Sequence, residues 1–239
     1  MIQFFAPDIS TNHILPESDS QHCVKVLRMK EGDILEVIDG KGNRYTCRLL
    51  DAHHKRAHVE IIEQKQVDLS WSNYITIAVA PTKHIDRMEW MVEKLTEIGV
   101  NRIVPLLCRY SERKEIKTER LEKIAISAMK QSLKATLPEI SEMVTFKDFI
   151  KHDNATQKFI AYCDESIPRK LFSKEYSAHK DITLLIGPEG DFSIDEIKLA
   201  LESSYEPVSL GDNRLRTETA AIVACDTCHI INQINSISC

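Results

Sequence analysis

Several features that would assign a protein to a common class are missing from these 239 residues. No apolar run approaches the roughly 20 residues that a membrane-spanning helix requires. No N-terminal stretch combines basic and apolar residues as a secretory signal does. We therefore expect a cytoplasmic protein with no membrane partner. No internal repeat and no low-complexity tract is visible, so we expect ordinary globular domains.

Cofactor motifs are also scarce. Neither a Gly-x-Gly-x-x-Gly segment after the first strand nor a Walker A sequence is present, so a dinucleotide or P-loop site is unsupported. The seven cysteines are an odd, scattered set that suits reduced thiols. Cys225 to His229 has the spacing of a haem attachment site, but the apolar run around it predicts a buried helix. No second Cys/His pair completes a zinc site, so we expect no metal.

Excess positive charge is missing overall, since the net charge is -5. One segment departs from this balance: residues 101–136 hold 9 Lys and Arg against 4 Asp and Glu. If RNA is a partner, most phosphate contacts should come from this segment. The alternative is a solvated helix face with mixed charges.

The order of hydrophobic patterns predicts two domains, 1–70 and 71–239. Short alternating segments with hairpin turns predict strands near 34–38, 43–50 and 57–62, which indicate a small β domain. After a polar stretch at 64–73, strands and amphipathic helices alternate as far as a closing helix at about 217–233. Such alternation favours a mainly parallel sheet with helices on both faces.

The most informative stretch runs from Leu184 to Ser193. An apolar run ends at Gly187, a Pro and a second glycine follow, and Ser193 with Glu196 has capping-box spacing. This pattern predicts a strand, a tight turn and a helix N-terminus, and ligands bind at that edge of open α/β sheets. Ordinary turn chemistry is the alternative.

A second glycine turn follows about twenty residues later. The predicted strand Pro207–Leu210 ends at Gly211 and leads into Asp212-Asn213-Arg214-Leu215-Arg216-Thr217-Glu218-Thr219-Ala220. Two such turns at the ends of consecutive strands would form two walls of one pocket.

These two segments together resemble the bacterial ribosomal RNA small-subunit uridine-N3 methyltransferases of the SPOUT, or α/β-knot, superfamily. The resemblance covers nearly the whole chain. Further matching positions are His22, Val26-Leu27-Arg28, Lys94, Glu97, Gly99, Ser111-Glu112-Arg113 and Gln131-Ser132.

The resemblance implies an N-terminal PUA-like RNA-binding β-barrel followed by a SPOUT α/β-knot domain. It also implies a homodimer that methylates 16S ribosomal RNA of the small ribosomal subunit with S-adenosylmethionine. The cofactor would lie between the two glycine turns, at Ile186, Gly187, Pro188, Glu189, Gly190, Leu210, Gly211, Asn213, Leu215, Arg216 and Thr217. The RNA would contact Lys25, Arg28, Arg113, Lys130 and Lys134.

Arg216 is the catalytic candidate. N3 of uridine must lose its proton before it attacks the methyl group, and the resulting negative charge spreads onto O2 and O4. A fixed guanidinium beside these oxygens would stabilise that charge. A salt bridge to Glu218 is the alternative role. Glu218 and Glu189 are weak candidate bases, because an ordinary carboxylate pKa lies far below that of an imide.

Three departures from the family pattern leave the RNA contacts open. Asp191 stands at a common glycine, Asn213-Arg214 stands where many members have Arg and Ile, and Leu133-Lys134 stands where many have Gly-Arg. Two functional alternatives also remain: another SPOUT specificity, such as ribose 2′-hydroxyl methylation or a different RNA, and a non-catalytic RNA-binding relative.

Overall fold

The computed structural model describes residues 2–164 and 168–236. The chain forms two compact units, Met1–Ser70 with Ile126–Leu137, and Trp71–Ala125 with Pro138–Cys239. Segment Ile126–Leu137 thus joins the first unit, although it lies within the second predicted domain. No helix of the described ranges is both long enough and apolar enough to cross a membrane.

The first unit is built on one four-stranded sheet in the order β1-β2-β3-β4. Apart from a π-helical turn at His22–Val26, its elements are β1 (Gln3–Phe5), α1 (Ile9–Asn12), α2 (Glu17–Gln21), β2 (Ile34–Ile38), β3 (Asn43–Asp51) and β4 (His58–Gln66). The predicted strands at 34–38, 43–50 and 57–62 are confirmed within a few residues. Among the described strands, β4 does not pair with β1, so a closed barrel stays a prediction.

Segment Ile126–Leu137 packs on the first unit through both apolar and polar contacts. Met129 and Ala135 form a buried cluster with Ile38. The ammonium of Lys130 lies 2.7 Å from Oδ1 of Asp19, whose side chain is 7% exposed. Because an ion pair this buried loses little to solvent screening, it contributes to holding the segment in place.

The second unit contains a sheet in the order β10-β12-β9-β11-β5-β6-β7, with β8 paired to β6. Every pairing described in this sheet is parallel, which confirms the predicted mixed α and β class with a mainly parallel sheet. Its strands are β5 (Ile75–Val79), β6 (Arg102–Leu107), β7 (Glu139–Ile140), β8 (Val144–Thr145), β9 (Gln157–Ala161), β10 (Lys170–Leu171), β11 (Ile182–Ile186) and β12 (Glu206–Ser209).

Helices alternate with these strands as the pattern predicts. They are α3 (Ile85–Ile98), α4 (Thr118–Gln131), α5 (Phe146–His152), α6 (Phe172–Glu175), α7 (Ile194–Glu202) and α8 (Thr217–Ser236). Strands β5 and β11 are buried along their whole length, as expected for central parallel strands covered on both faces. Cys225 and Cys228 are buried within the continuous helix α8, which confirms the helical interpretation of that segment.

Candidate functional site

A cleft of about 650 Å³ lies at the carboxyl ends of three neighbouring strands, β12, β9 and β11. This is the edge of a parallel sheet at which ligands bind. The cleft is lined by Arg87, Ala161, Tyr162, Cys163, Arg169, Ile186, Gly187, Pro188, Glu189, Asp191, Val208, Ser209, Leu210, Gly211, Asp212, Asn213, Arg214, Leu215, Arg216, Thr217, Glu218 and Ala220. Of the predicted cofactor positions, only Gly190 is absent from this lining.

The loop from Gly187 to Ser193, here the first loop, is held by hydrogen bonds on several sides. Ser193 and Glu196 form the predicted capping box at the start of α7. The carboxylate of Glu189 accepts a 2.9 Å hydrogen bond from the backbone N–H of Lys83. A Cβ on Gly187 would lie 3.1 Å from the Phe192 ring, and one on Gly190 would lie 3.3 Å from Cβ of Tyr110. Close packing therefore explains both glycines.

Asp191 shows how this chain accommodates its departure from the family glycine. Its φ is 67°, a left-handed conformation that Asp tolerates better than most residues because its carboxylate can bond locally. Oδ1 accepts from the N–H of Phe192 at 2.8 Å. Oδ2 accepts from the N–H of Cys163 at 2.7 Å. The substitution thus adds a hydrogen bond between the first loop and the end of β9.

The second loop, Leu210–Arg216, is mostly exposed. Its described side-chain bonds are short-range, between the Ser209 hydroxyl and the backbone of Gly211. Gly211 has φ +135°, and a Cβ there would meet nothing within 4 Å. Glycine is therefore required at this position for its backbone conformation, and the space beside it is open to the cleft.

The two loops meet at the start of α8. The buried hydroxyl of Thr217 donates a 3.0 Å hydrogen bond to the carbonyl of Gly187. Arg216 precedes the helix, and its side chain is exposed. Two glycine-bearing loops of one cleft are therefore joined directly, with Arg216 beside the junction.

Among the described residues, Arg216 forms no salt bridge with Glu218, so the alternative role of Arg216 is not confirmed. Glu218 instead faces Arg87, whose Nε lies 3.9 Å from Oε1, and the Glu218 side chain is 7% exposed. Arg87 occupies the first turn of α3, more than a hundred residues away along the chain, so no local sequence signal identified it.

The predicted RNA-binding cations fall into two groups. Lys25 and Arg28 are exposed, with Arg28 at φ 56°. In contrast, Lys130 is paired with Asp19, and the Arg113 guanidinium donates to the carbonyls of Thr82 and Lys83. Lys134 is half-buried after Leu133, which adopts φ 57° where many family members have glycine. Lys130 and Arg113 therefore donate hydrogen bonds inside the protein, which leaves fewer of their N–H groups for RNA phosphates.

The end of β9 is a third wall of the cleft that the sequence did not identify. Ala161, Tyr162 and Cys163 line it. Arg169 donates to the carbonyl of Tyr162, and its guanidinium carbon lies 5.7 Å from the centre of that residue's ring. Burial raises the pKa of the Tyr162 hydroxyl. The strand itself was predicted, but its place between β12 and β11 depends on the order of strands in the sheet.

Comparison with known proteins gives matches over most of the chain. A family model described as "RNA methyltransferase domain" matches residues 70–229, and one described as "RNA methyltransferase PUA domain" matches residues 15–62. A curated relative from Rickettsia conorii, "Ribosomal RNA small subunit methyltransferase E", is 33% identical over 205 residues, which cover 85% of this chain and 83% of the relative.

Two solved structures are similar over nearly their whole length. A "probable rRNA-methyltransferase from Porphyromonas gingivalis" is 45% identical with a TM-score of 0.94, and the match covers 98% of this chain and 100% of that one. A ribosomal RNA small subunit methyltransferase E from Neisseria gonorrhoeae, bound to S-adenosyl methionine, is 28% identical with a TM-score of 0.82, covering 94% and 95%.

Proposed function

Because the chain belongs to the ribosomal RNA small subunit methyltransferase E family of RNA methyltransferases, we propose that it methylates N3 of a uridine in 16S ribosomal RNA. The methyl donor is S-adenosylmethionine. The observation that carries this proposal is the single cleft formed by both glycine loops, with Arg216 at their junction. The reaction belongs in the cytoplasm, on RNA of the small ribosomal subunit.

The residues of the cleft fit this cofactor. A volume of about 650 Å³ lies within the usual range for small-molecule sites, and the open space beside Gly211 permits a ligand to approach the backbone closely. The positions that would hold it are Ile186, Gly187, Pro188, Glu189, Leu210, Gly211, Asn213, Leu215, Arg216 and Thr217, with Gly190 supporting the first loop from outside the lining. When bound, the cofactor supplies a methyl group on a positively charged sulfur. We also propose that the backbone of the second unit follows the knotted path of the SPOUT superfamily.

Arg216 acts on the base. As the N3–H bond breaks and its proton passes to water, negative charge develops on O2 and O4. A guanidinium at these oxygens stabilises the charge in the transition state. The deprotonated N3, with the base held by Arg216, would then be the nucleophile for the methyl group that the bound cofactor would supply.

The proposed RNA-binding surface includes Lys25 and Arg28 as its main cations. Both side chains are exposed, and both lie within the part that matches the PUA domain model. Arg113, Lys130 and Lys134 are secondary candidates. Arg113 and Lys130 have partners inside the protein, and Lys134 is half-buried.

A homodimer is also proposed. It is supported by Ile230 on α8, whose side chain is 48% exposed, since a second copy would cover this apolar side chain.

Methylated nucleosides in small-subunit RNA from cells with and without the protein test the function. We expect N3-methyluridine at one position to disappear without the protein and to return when purified protein and S-adenosylmethionine are added. A 2′-O-methylated product would support the other SPOUT specificity. Failure of the pure protein to bind S-adenosylmethionine in calorimetry would support a non-catalytic RNA-binding relative.

A further inference from the structure

The cleft contains a buried carboxylate that faces a cation which the proposed mechanism has not used. Glu218 is 7% exposed at the side chain, and the distance of 3.9 Å to Nε of Arg87 is too long for a hydrogen bond. Both residues line the cleft. An anion in the first turn of the long helix α8 is favoured by the helix dipole, and it attracts the guanidinium towards the cleft. The long separation leaves the N–H donors of Arg87 available to a ligand.

Three other charged groups of the cleft have protein partners. Glu189 accepts from the N–H of Lys83. Asp191 accepts from two backbone N–H groups, and Arg169 donates to the carbonyl of Tyr162. Asp212 and Arg214 are exposed on the second loop. Arg87 faces Glu218 in the first turn of α8, and Arg216 directly precedes that helix. Both guanidinium groups line the cleft at this end of α8, and the charge of Glu218 holds the first of them.

Uracil presents two carbonyl oxygens, O2 and O4, on either side of N3. Loss of the N3 proton places negative charge on both oxygens, so one guanidinium can stabilise only part of the charge at close range. The methyl group must approach N3 between these oxygens, in the plane of the ring. Donors that bind O2 and O4 from the two sides stabilise the anion without blocking this approach.

We propose that Arg87 and Arg216 bind the two carbonyl oxygens of the target uracil, one each, and that Glu218 positions Arg87. This inference rests on the proposed uridine-N3 activity and adds a second catalytic residue, Arg87, and a positioning residue, Glu218. It reduces the need for a strong general base, because each cation beside the imide lowers the pKa of its N3–H. It also excludes cytosine, whose 4-amino group is a donor and would face a second donor.

The test uses the acidity of the substrate. Small-subunit RNA is transcribed with uridine or with 5-fluorouridine, whose N3–H is more acidic, and single-turnover methyl transfer is measured at saturating cofactor across a pH series. The variants are Arg87→Gln, Arg87→Lys and Glu218→Gln. The matched controls are Arg102→Gln and Glu139→Gln, from an Arg–Glu pair at 3.0 Å in the same unit that does not line the cleft.

For Arg87→Gln we expect a loss of about 10²–10³ in rate on uridine RNA, typical for removal of one preorganised donor. On 5-fluorouridine RNA the loss should be at least about tenfold smaller, since less stabilisation of the anion is required. The pH–rate profile should move to higher pH on uridine RNA, because one of the groups that stabilise the imide anion is gone. Arg87→Lys should lie between wild type and Arg87→Gln, and Glu218→Gln should show the same pattern more weakly. The cofactor dissociation constant and both control variants should stay near wild type.

Equal losses on both RNAs, with an unshifted pH profile, would overturn the inference and leave Arg87 and Glu218 as a structural pair. Melting curves of each variant identify a folding defect, and Arg87→Lys, which keeps the ion pair, still provides the comparison if Arg87→Gln unfolds. Failure of the proposed function is recognised separately, from the wild-type protein. A product other than N3-methyluridine would reject both the function and the inference that rests on it.

Discussion

The two loops of the cleft differ in how their polar groups are used. In the first loop, Glu189 and Asp191 accept hydrogen bonds from backbone groups of other segments, and a capping box fixes the following helix. In the second loop, the residues from Gly211 to Arg214 are exposed, as is Arg216. The first loop is therefore a supported wall, whereas the second keeps its donors available.

This difference suggests that the first loop maintains the shape of the cleft and that the second loop acts on the ligand. Polar groups with protein partners contribute to stability and hold the cleft open in one form, and removing one partner loses the hydrogen bond between the two segments. A group without such a partner contributes little to stability but can act on a ligand. The two loops should accordingly respond to mutation in different measurements.

The largest effect is expected at Arg216. Arg216→Lys keeps the charge but loses the planar pair of donors, so methyl transfer should fall by about 10²–10³. The melting temperature and RNA affinity should change little, because the side chain is exposed and RNA binding is spread over many phosphates. Single-turnover transfer to small-subunit RNA particles beside a thermal melt provides both values. A normal rate with normal RNA binding would remove Arg216 from the catalytic residues.

Asp191→Ala should act in the opposite way. It leaves the N–H groups of Cys163 and Phe192 without their carboxylate partner and keeps an alanine in a left-handed conformation, so the free energy of unfolding should fall by about 1–3 kcal/mol. Urea denaturation measures it. Asp191→Gly is the control: it removes the carboxylate but relieves the backbone, and should lose less stability. If Asp191→Ala is as stable as wild type, the first loop is not supported by this carboxylate.

Gly211→Val tests the open loop through its backbone. A side chain at φ +135° is strained, and its Cβ would occupy the open space beside the cleft, so we expect about tenfold weaker cofactor binding in calorimetry, or roughly 1.4 kcal/mol. Gly32→Val is the matched control, because Gly32 has φ +93°, with no atom within 4 Å of its Cβ, and lies in the first unit. It should lower stability without changing cofactor affinity. Equal cofactor affinity in both variants would place the cofactor elsewhere.

Local signals in the sequence predicted much of the framework of this site. The strand β11, its glycine turn and the Ser193–Glu196 capping box are specified within the short stretch from Ile182 to Glu196, and all three are confirmed. The mainly parallel sheet followed from the alternation of strands and helices. In each case the physical cause, periodic burial or a cap, acts between near neighbours in the chain.

Partners that are distant in sequence were missed for an equally physical reason. Arg87 meets Glu218 only because α3 packs against α8. The end of β9 becomes a wall because β9 lies between β12 and β11. Charge counting selected 101–136 as the RNA surface, but it could not show that Arg113 and Lys130 are bonded inside the protein.

The smallest effect is expected on RNA binding, at the predicted RNA-binding cations. Here too, cations with a protein partner should differ from cations that are exposed. Replacing Lys25 and Arg28 by Ala should lower the slope of log affinity against log salt by roughly one unit for each lost phosphate contact, with little change in stability. Lys130→Ala should instead lower stability, because it leaves the buried Asp19 without its cation, and should change the slope little. Filter binding to small-subunit RNA at several salt concentrations, beside melting curves, measures both.

Two results would contradict this prediction. A reduced slope for Lys130→Ala with an unchanged melting temperature would mean that Lys130 leaves Asp19 for a phosphate when RNA binds. An unchanged slope for the variant that lacks both Lys25 and Arg28 would place the RNA surface away from the π-helical turn.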